Sequence, residues 1–278
     1  MKKLIFSFSP VFIITLLVFP IFVFAQNYIQ SFDNGKIDWT NGIAEAVGLG
    51  IPQEKYNNQA QARALAKREA IRVARKNLLA IIKRIQINSE SVIEDFIVKR
   101  DMIIKKVQNL LVDAQVVDIK YMSDGSVEAT VDIKLVGPFA DIILPRNIRI
   151  IEQMQYIRSA HNEGKVSFTG LVVDCRGFSV KPALVPRIID EDGGEVYSPV
   201  YISREYAIKK GIAGYARDLT TAQNNPRVAG RPLIMKGIKT AKTGKSDIVI
   251  SNADAAKIKG NACHLNFLQK CRVMIVLD

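Results

Sequence analysis

The sequence predicts an α+β protein. Its first unit should run β-α-α-β-β, with the helices on one face of a sheet, and a second α+β unit should follow. Three observations predict this. Asn57 to Ile87 contains no Gly or Pro and repeats apolar residues at helical spacing. Val127, Ala129, Val131, Ile133 and Leu135 alternate with Glu128, Thr130, Asp132 and Lys134, the period of a strand with one wet face. After a break at Pro138, Pro145 and Gly164, strand-like and helix-like runs resume. The expected division is a signal peptide at 1–25, a first unit at 26–140, a linker at 141–165 with a short helix from Ile148 to Ile157, and a second unit at 166–278.

Met1-Lys2-Lys3, the apolar run Leu4 to Phe24 and the ending Val23-Phe24-Ala25 read as a secretory signal peptide cut after Ala25. An uncleaved anchor is the rival. Ser7, Ser9, Pro10 and Pro20 interrupt the run, and no basic flank follows it. Lysines without an arginine pair point to the general secretion route. The first thirty residues contain no cysteine, so a lipid anchor on an N-terminal cysteine is not expected. No later run reaches the roughly 18 apolar residues of a membrane helix. A soluble periplasmic protein is therefore expected, its net charge falling from +12 to +10 with the loss of Lys2 and Lys3.

In the first unit, Ile37, Trp39, Ile43, Val47 and Leu49 share one parity and predict a single half-buried strand. Gly48-Leu49-Gly50 before a helix invites a dinucleotide-loop reading. Gln53 stands where the third glycine belongs, so a turn is expected. Asn58 with Gln61 forms an approximate capping pair for the long helix, whose stripe is Ala60, Ala64, Ile71, Ala74, Leu78, Ile81, Ile82 and Ile85. Beside the stripe gather Arg68, Arg72, Arg75, Lys76 and Lys83, opposed nearby by Glu69 alone. Ser91 and Glu94 make a capping box for a second helix through Val92, Phe96, Ile103, Val107 and Leu110. Val117, Ile119 and Tyr121, then Ser123-Asp124-Gly125, then Val127 to Leu135 predict a hairpin.

In the second unit, Val166–Asp174, Ala183–Ile189, Glu195–Tyr197, Pro232–Lys239 and Asp247–Ile250 read as strands. Tyr201 to Asn225 is ambiguous in pattern, with short helices interrupted by Gly211 and Gly214 as one reading. Ser251 and Asp254 cap one final helix carrying Ala255, Ile258, Ala262, Leu265 and Leu268. The terminal run through Val273, Ile275 and Leu277 should be tied into a sheet. Lys236, Lys239, Lys242 and Lys245 form a second basic cluster.

Catalytic material is sparse. His161 and His264 are the only histidines, and phosphate-loop, nucleophile-elbow and zinc-protease motifs are missing. Asp190 and Asp192 suggest a calcium loop, but Tyr201 stands where its bidentate Glu belongs, so a solvated turn is expected. Cys175, Cys263 and Cys271 are an odd set. In one helix Cys263 and Cys271 would stand about 12 Å apart, too far to bond. Buried thiols are expected, with a bridge from Cys175 to Cys263 or Cys271 left open. No enzyme activity, cofactor or metal is expected.

Trp39-Thr40-Asn41-Gly42, Gly48-Leu49-Gly50, Gln61-Ala62-Arg63 and Ala70-Ile71-Arg72-Val73-Ala74-Arg75-Lys76-Asn77-Leu78-Leu79 resemble the twenty-kilodalton membrane-associated lipoprotein family. That family's domain is similar to the N-terminal domain of flagellar assembly protein T. The resemblance covers about Gly35 to Gly137. It implies a small α/β domain used in envelope or flagellar assembly, with no catalytic residues to carry over. The lipidated cysteine is missing. Thr169–Asp174 and Ala183–Gly193 resemble the C-terminal part of longer relatives.

The expected function is an exported, non-enzymatic scaffold or assembly factor with envelope or flagellar proteins as partners. The alternative is a module binding anionic lipid or cell-wall glycan through Arg68, Arg72, Arg75, Lys76 and Lys83 or the Lys236–Lys245 cluster. Plain solvation of those cations competes with both. Charge alone admits nucleic acid, but export argues against it.

Overall fold

The computed structural model describes residues 27–52, 58–98, 101–145, 148, 168–241, 245–260 and 262–278. The expected signal peptide, residues 149–157 of the expected helix, His161, Lys242 and the Cys263 side chain lie outside the described residues. The fold is α+β with two sheets. Among the described residues no helix is long and apolar enough to cross a membrane.

The first sheet contains β1 (Ile29–Phe32), β2 (Gly35–Asp38), β3 (Ile43–Gly50), β4 (Gln115–Tyr121) and β5 (Val127–Lys134), antiparallel in the order β1-β2-β3-β5-β4. Helix α1 (Gln59–Lys83) crosses it, followed by α2 (Ile93–Val98) and α3 (Asp101–Val112), while α4 (Pro138–Ile143) follows the hairpin. Three strands therefore precede α1 where one was expected. The run from Ile37 to Leu49 is split by a turn in which Asp38 Oδ1 accepts from the Asn41 amide at 3.0 Å and Gly42 takes φ +65°.

The parity of β3 is also the reverse of that expected. Ala44, Ala46, Gly48 and Gly50 face inward, while Leu49 is 49% exposed. Close approach of α1 is the cause, since a Cβ on Gly50 would lie 1.9 Å from the Ala66 carbonyl oxygen. Smallness outranks hydrophobicity where backbones nearly touch. The helix answers with its own small row: Ala62, Ala66, Ala70, Ala74, Leu78 and Ile82 are buried at i, i+4 spacing, and Ala60 and Ala64 are exposed. Asn58 caps it, its Oδ1 accepting from the Ala60 and Gln61 amides.

The cap of α2 sits one residue later than expected. Asp95 Oδ2 accepts from the Val92 amide at 3.1 Å, and Glu94 lies instead 3.6 Å from Lys83 Nζ. The hairpin of β4 and β5 forms as expected, with Val127, Ala129 and Val131 buried. A bulge between Val116 and Asp118 shifts the parity of β4 and leaves Val117 exposed.

The second sheet contains β6 (Leu171–Asp174), β7 (Ile188–Ile189), β8 (Glu195–Tyr197), β9 (Gly214–Ala216), β10 (Leu233–Thr240), β11 (Ile248–Ile250) and β12 (Val273–Val276), in the order β8-β7-β11-β10-β6-β12-β9. Strands β9, β12, β6 and β10 run parallel. Helices α5 (Arg204–Lys210), α6 (Leu219–Asn224), α7 (Asn252–Lys259) and α8 (Ala262–Gln269) complete the unit. The strand expected from Ala183 shrinks to Ile188–Ile189, the ambiguous stretch from Tyr201 to Asn225 holds β9 between α5 and α6, and the single final helix is two. The terminal strand β12 is fully buried between β6 and β9.

Val172, Met274 and Val276 pack with Ala222 and Val228 on one face. Leu171, Val173, Val273 and Ile275 point the other way, into a core continuous with that of the first sheet. At the junction Trp39 meets Tyr215 edge-on with ring centroids 5.5 Å apart. The Leu184 and Val185 amides donate to the Gln86 and Ile87 carbonyls at 2.9 and 2.7 Å. Ile143 and Leu144, at the start of the expected linker, are buried in this core.

Candidate functional site

Helix α1 spans about 37 Å at 1.5 Å per residue. Because its alanine row lies on the sheet, the residues two positions along face away. Arg68, Arg72 and Lys76 accordingly form an exposed row, flanked by exposed Ala64 and Ala80 and continued by Arg84. Arg75 and Lys83 are half-buried on a flank. The five candidate residues thus divide between two faces.

Their partners divide them further. Glu69 takes a two-pronged bond from Arg72, Nε to Oε2 at 2.8 Å and Nη2 to Oε1 at 2.5 Å, which lowers the pKa of the carboxyl and raises that of the guanidinium. The Nζ of Lys83 is near Glu94, and Arg75 Nε is buried without a hydrogen-bond partner among the described residues. Among the described residues Arg68 and Lys76 meet no carboxylate within salt-bridge distance. The uncompensated charge of the strip therefore rests on half-buried Arg75 and on two exposed side chains, Arg68 and Lys76, about 12 Å apart along the helix.

Other candidates resolve into structural roles. The acidic turn is tied to the start of α7: Glu191 Oε2 accepts from the Asn252 amide at 3.0 Å, Asn252 Nδ2 donates to Asp192 at 2.9 Å, and Lys259 pairs with Asp190 at 2.9 Å. Among the described residues no group of three or more His, Cys, Asp or Glu is placed to hold a metal. His264 is buried between Phe168 and Phe267, its Nδ1 3.0 Å from the Lys257 carbonyl oxygen. Cys175 and Cys271 are free, buried thiols, and burial pushes the Cys271 thiol up to about 11. Lys236, Lys239 and Lys245 are exposed.

A further feature has no signature in the sequence. Between the sheets a small cleft of about 80 Å³, open to solvent, is lined by Trp39, Asn41, Val136, Leu184, Lys210 and Arg227 among others. Arg227 Nη1 donates to the Gly211 and Cys271 carbonyls at 3.0 and 2.9 Å, and Nη2 donates to that of Lys210. These carbonyls lie just beyond or at the C-terminal ends of α8 and α5, where a cation is favoured. Burial nevertheless holds the guanidinium below its ordinary pKa. A Cβ on Gly214 would lie 2.9 Å from Arg227 Nε, so glycine there leaves room for the side chain. Only the tertiary packing singles this arginine out.

Residues 170–278 match the family model of the second domain of Treponema pallidum Tp0624. The match spans the second sheet from β6 to β12 and does not reach the first. No curated protein matches the chain.

Proposed function

We propose that this protein is an exported, non-enzymatic scaffold or assembly factor of the periplasm that holds an envelope or flagellar partner on the outward row of α1. The signal-peptide-like N-terminus and the resemblance of Gly35–Gly137 to the twenty-kilodalton lipoprotein family support the compartment and the assembly role. The carrying observation is that α1 spends its small face on the sheet and leaves Arg68 and Lys76 exposed, without carboxylate partners among the described residues. Cations so placed attract an acidic surface without first breaking an internal pair. Photocrosslinking in cells from positions 68 and 76 should capture a defined envelope protein. An empty result from both positions, or a cytoplasmic location, would sink the reading.

The same exposed cations favour a second reading, adhesion to anionic lipid or cell-wall glycan. It predicts retention on vesicles of phosphatidylglycerol that falls with salt and is abolished by charge reversal at Arg68 and Lys76. Retention indifferent to both would exclude it.

A further inference from the structure

Arg227 differs from three other arginines that brace the second unit, though Arg272 likewise holds a carbonyl, that of Thr169 at 3.2 Å. Arg176, Arg187 and Arg204 each hold a carboxylate: Asp174 at 2.7 Å, Asp247 at 2.5 Å and Asp141 at 2.8 Å. Arg227 has only carbonyl dipoles, and among the described residues no Asp or Glu lies within salt-bridge distance. The nearby phenols do not substitute, because the Tyr197 hydroxyl donates to the Ile212 carbonyl and the Tyr215 hydroxyl to that of Ala183. A guanidinium has five N–H donors. Three bonds to carbonyls leave Nε–H and one Nη2–H, two donors on nitrogens joined to one carbon, which is the spacing a planar carboxylate accepts.

Both the charge and its surroundings bear on what would bind. Lys210 lines the same cleft, and no carboxylate residue does. The lining also includes the apolar residues Val136, Leu184 and Trp39, which suit a small apolar substituent. A structural staple alone explains the three carbonyl bonds. It does not explain why the cleft at the junction of two units, lined by Arg227, has no acidic residue in its lining.

We propose that the cleft between the two sheets binds a small carboxylate, with Arg227 as its anchor and the Trp39–Val136–Leu184 wall receiving the substituent. The test uses the chain labelled with nitrogen-15, titrated with N-acetylalanine, with N-acetylalaninamide as the uncharged control. The Arg227 Nε–H resonance should move saturably with the acid and stay still with the amide. Arg227→Gln should lose calorimetric binding of the acid. If that variant fails to fold, Ala213→Phe fills the cleft, leaves the carbonyl bonds in place, and should abolish the resonance shift instead. Inorganic phosphate competing with the acid would assign the site to anions of either shape and retain Arg227 as anchor. An unmoved resonance, an equal shift with the amide, or undiminished binding by folded Ala213→Phe would overturn the proposal. None of these outcomes depends on α1, so the crosslinking result stands or falls separately.

Discussion

Gly48 of β3 lies so close to Ala74 of α1 that a Cβ on residue 48 would sit 2.2 Å from the Ala74 amide nitrogen. That is backbone against backbone, with no side chain able to swing aside. Gly48→Val should therefore cost about 3 kcal/mol or more, at the upper end of overpacking effects. Urea unfolding monitored by circular dichroism checks this. A loss under about 1 kcal/mol would mean that helix and sheet separate easily.

Asp247 is 1% exposed and takes both its bonds from Arg187 on one oxygen, Oδ2. Arg187→Met strands a buried carboxylate and should destabilise by about 3 kcal/mol. Pairing it with Asp247→Leu should restore most of that loss, because the cost is the uncompensated charge. A double-mutant cycle in urea reads the difference.

The bonds from Arg176 hold the Asp174 carboxyl below its ordinary 3.8. A carboxyl whose folded pKa is depressed contributes stability above the unfolded value and loses it as pH falls through the folded one. Asp174→Asn should thus lower the melting temperature at neutral pH and leave a shallower decline below pH 3.8. Parallel decline of variant and wild type would show that the pair is idle.

With its thiol pushed up to about 11, Cys271 is thiolate to only about one part in a thousand at pH 8. Cys175 is raised further by burial. Neither should react with iodoacetamide in the native protein, and both should label fully in urea. Peptide mapping by mass spectrometry distinguishes them from Cys263.

Charge reversal at Arg68 and Lys76 should leave unfolding within about 0.5 kcal/mol of wild type, as expected for exposed positions. Loss of the crosslinked partner from such a stable variant would then report binding rather than folding.

The parts of this protein legible from sequence are those governed by one-dimensional periodicity. The β4–β5 hairpin, the Asn58 cap, the Ser251 cap and the buried terminal strand all stand where the patterns put them. Reading fails where size or contact decides. Alternation in β3 pointed to Val47 and Leu49, yet Ala46 and Gly48 are the inward residues. Of the candidate strip, Arg68, Arg72 and Lys76 share a face, but Glu69 neutralises Arg72, and Arg75 and Lys83 turn toward a flank.

Sequence by itself determined the class: a long helix, an alternating hairpin, and the α+β character that follows from those two periods. Tertiary structure alone decided which face of β3 is buried, how the units join at Trp39 and Tyr215, and that Arg227 enters a cleft without an acid. Periodicity records whether a residue repeats with helix or strand geometry. It carries no information on how near the next layer lies or which distant carbonyls surround a charge, and those distances arise only when the layers pack.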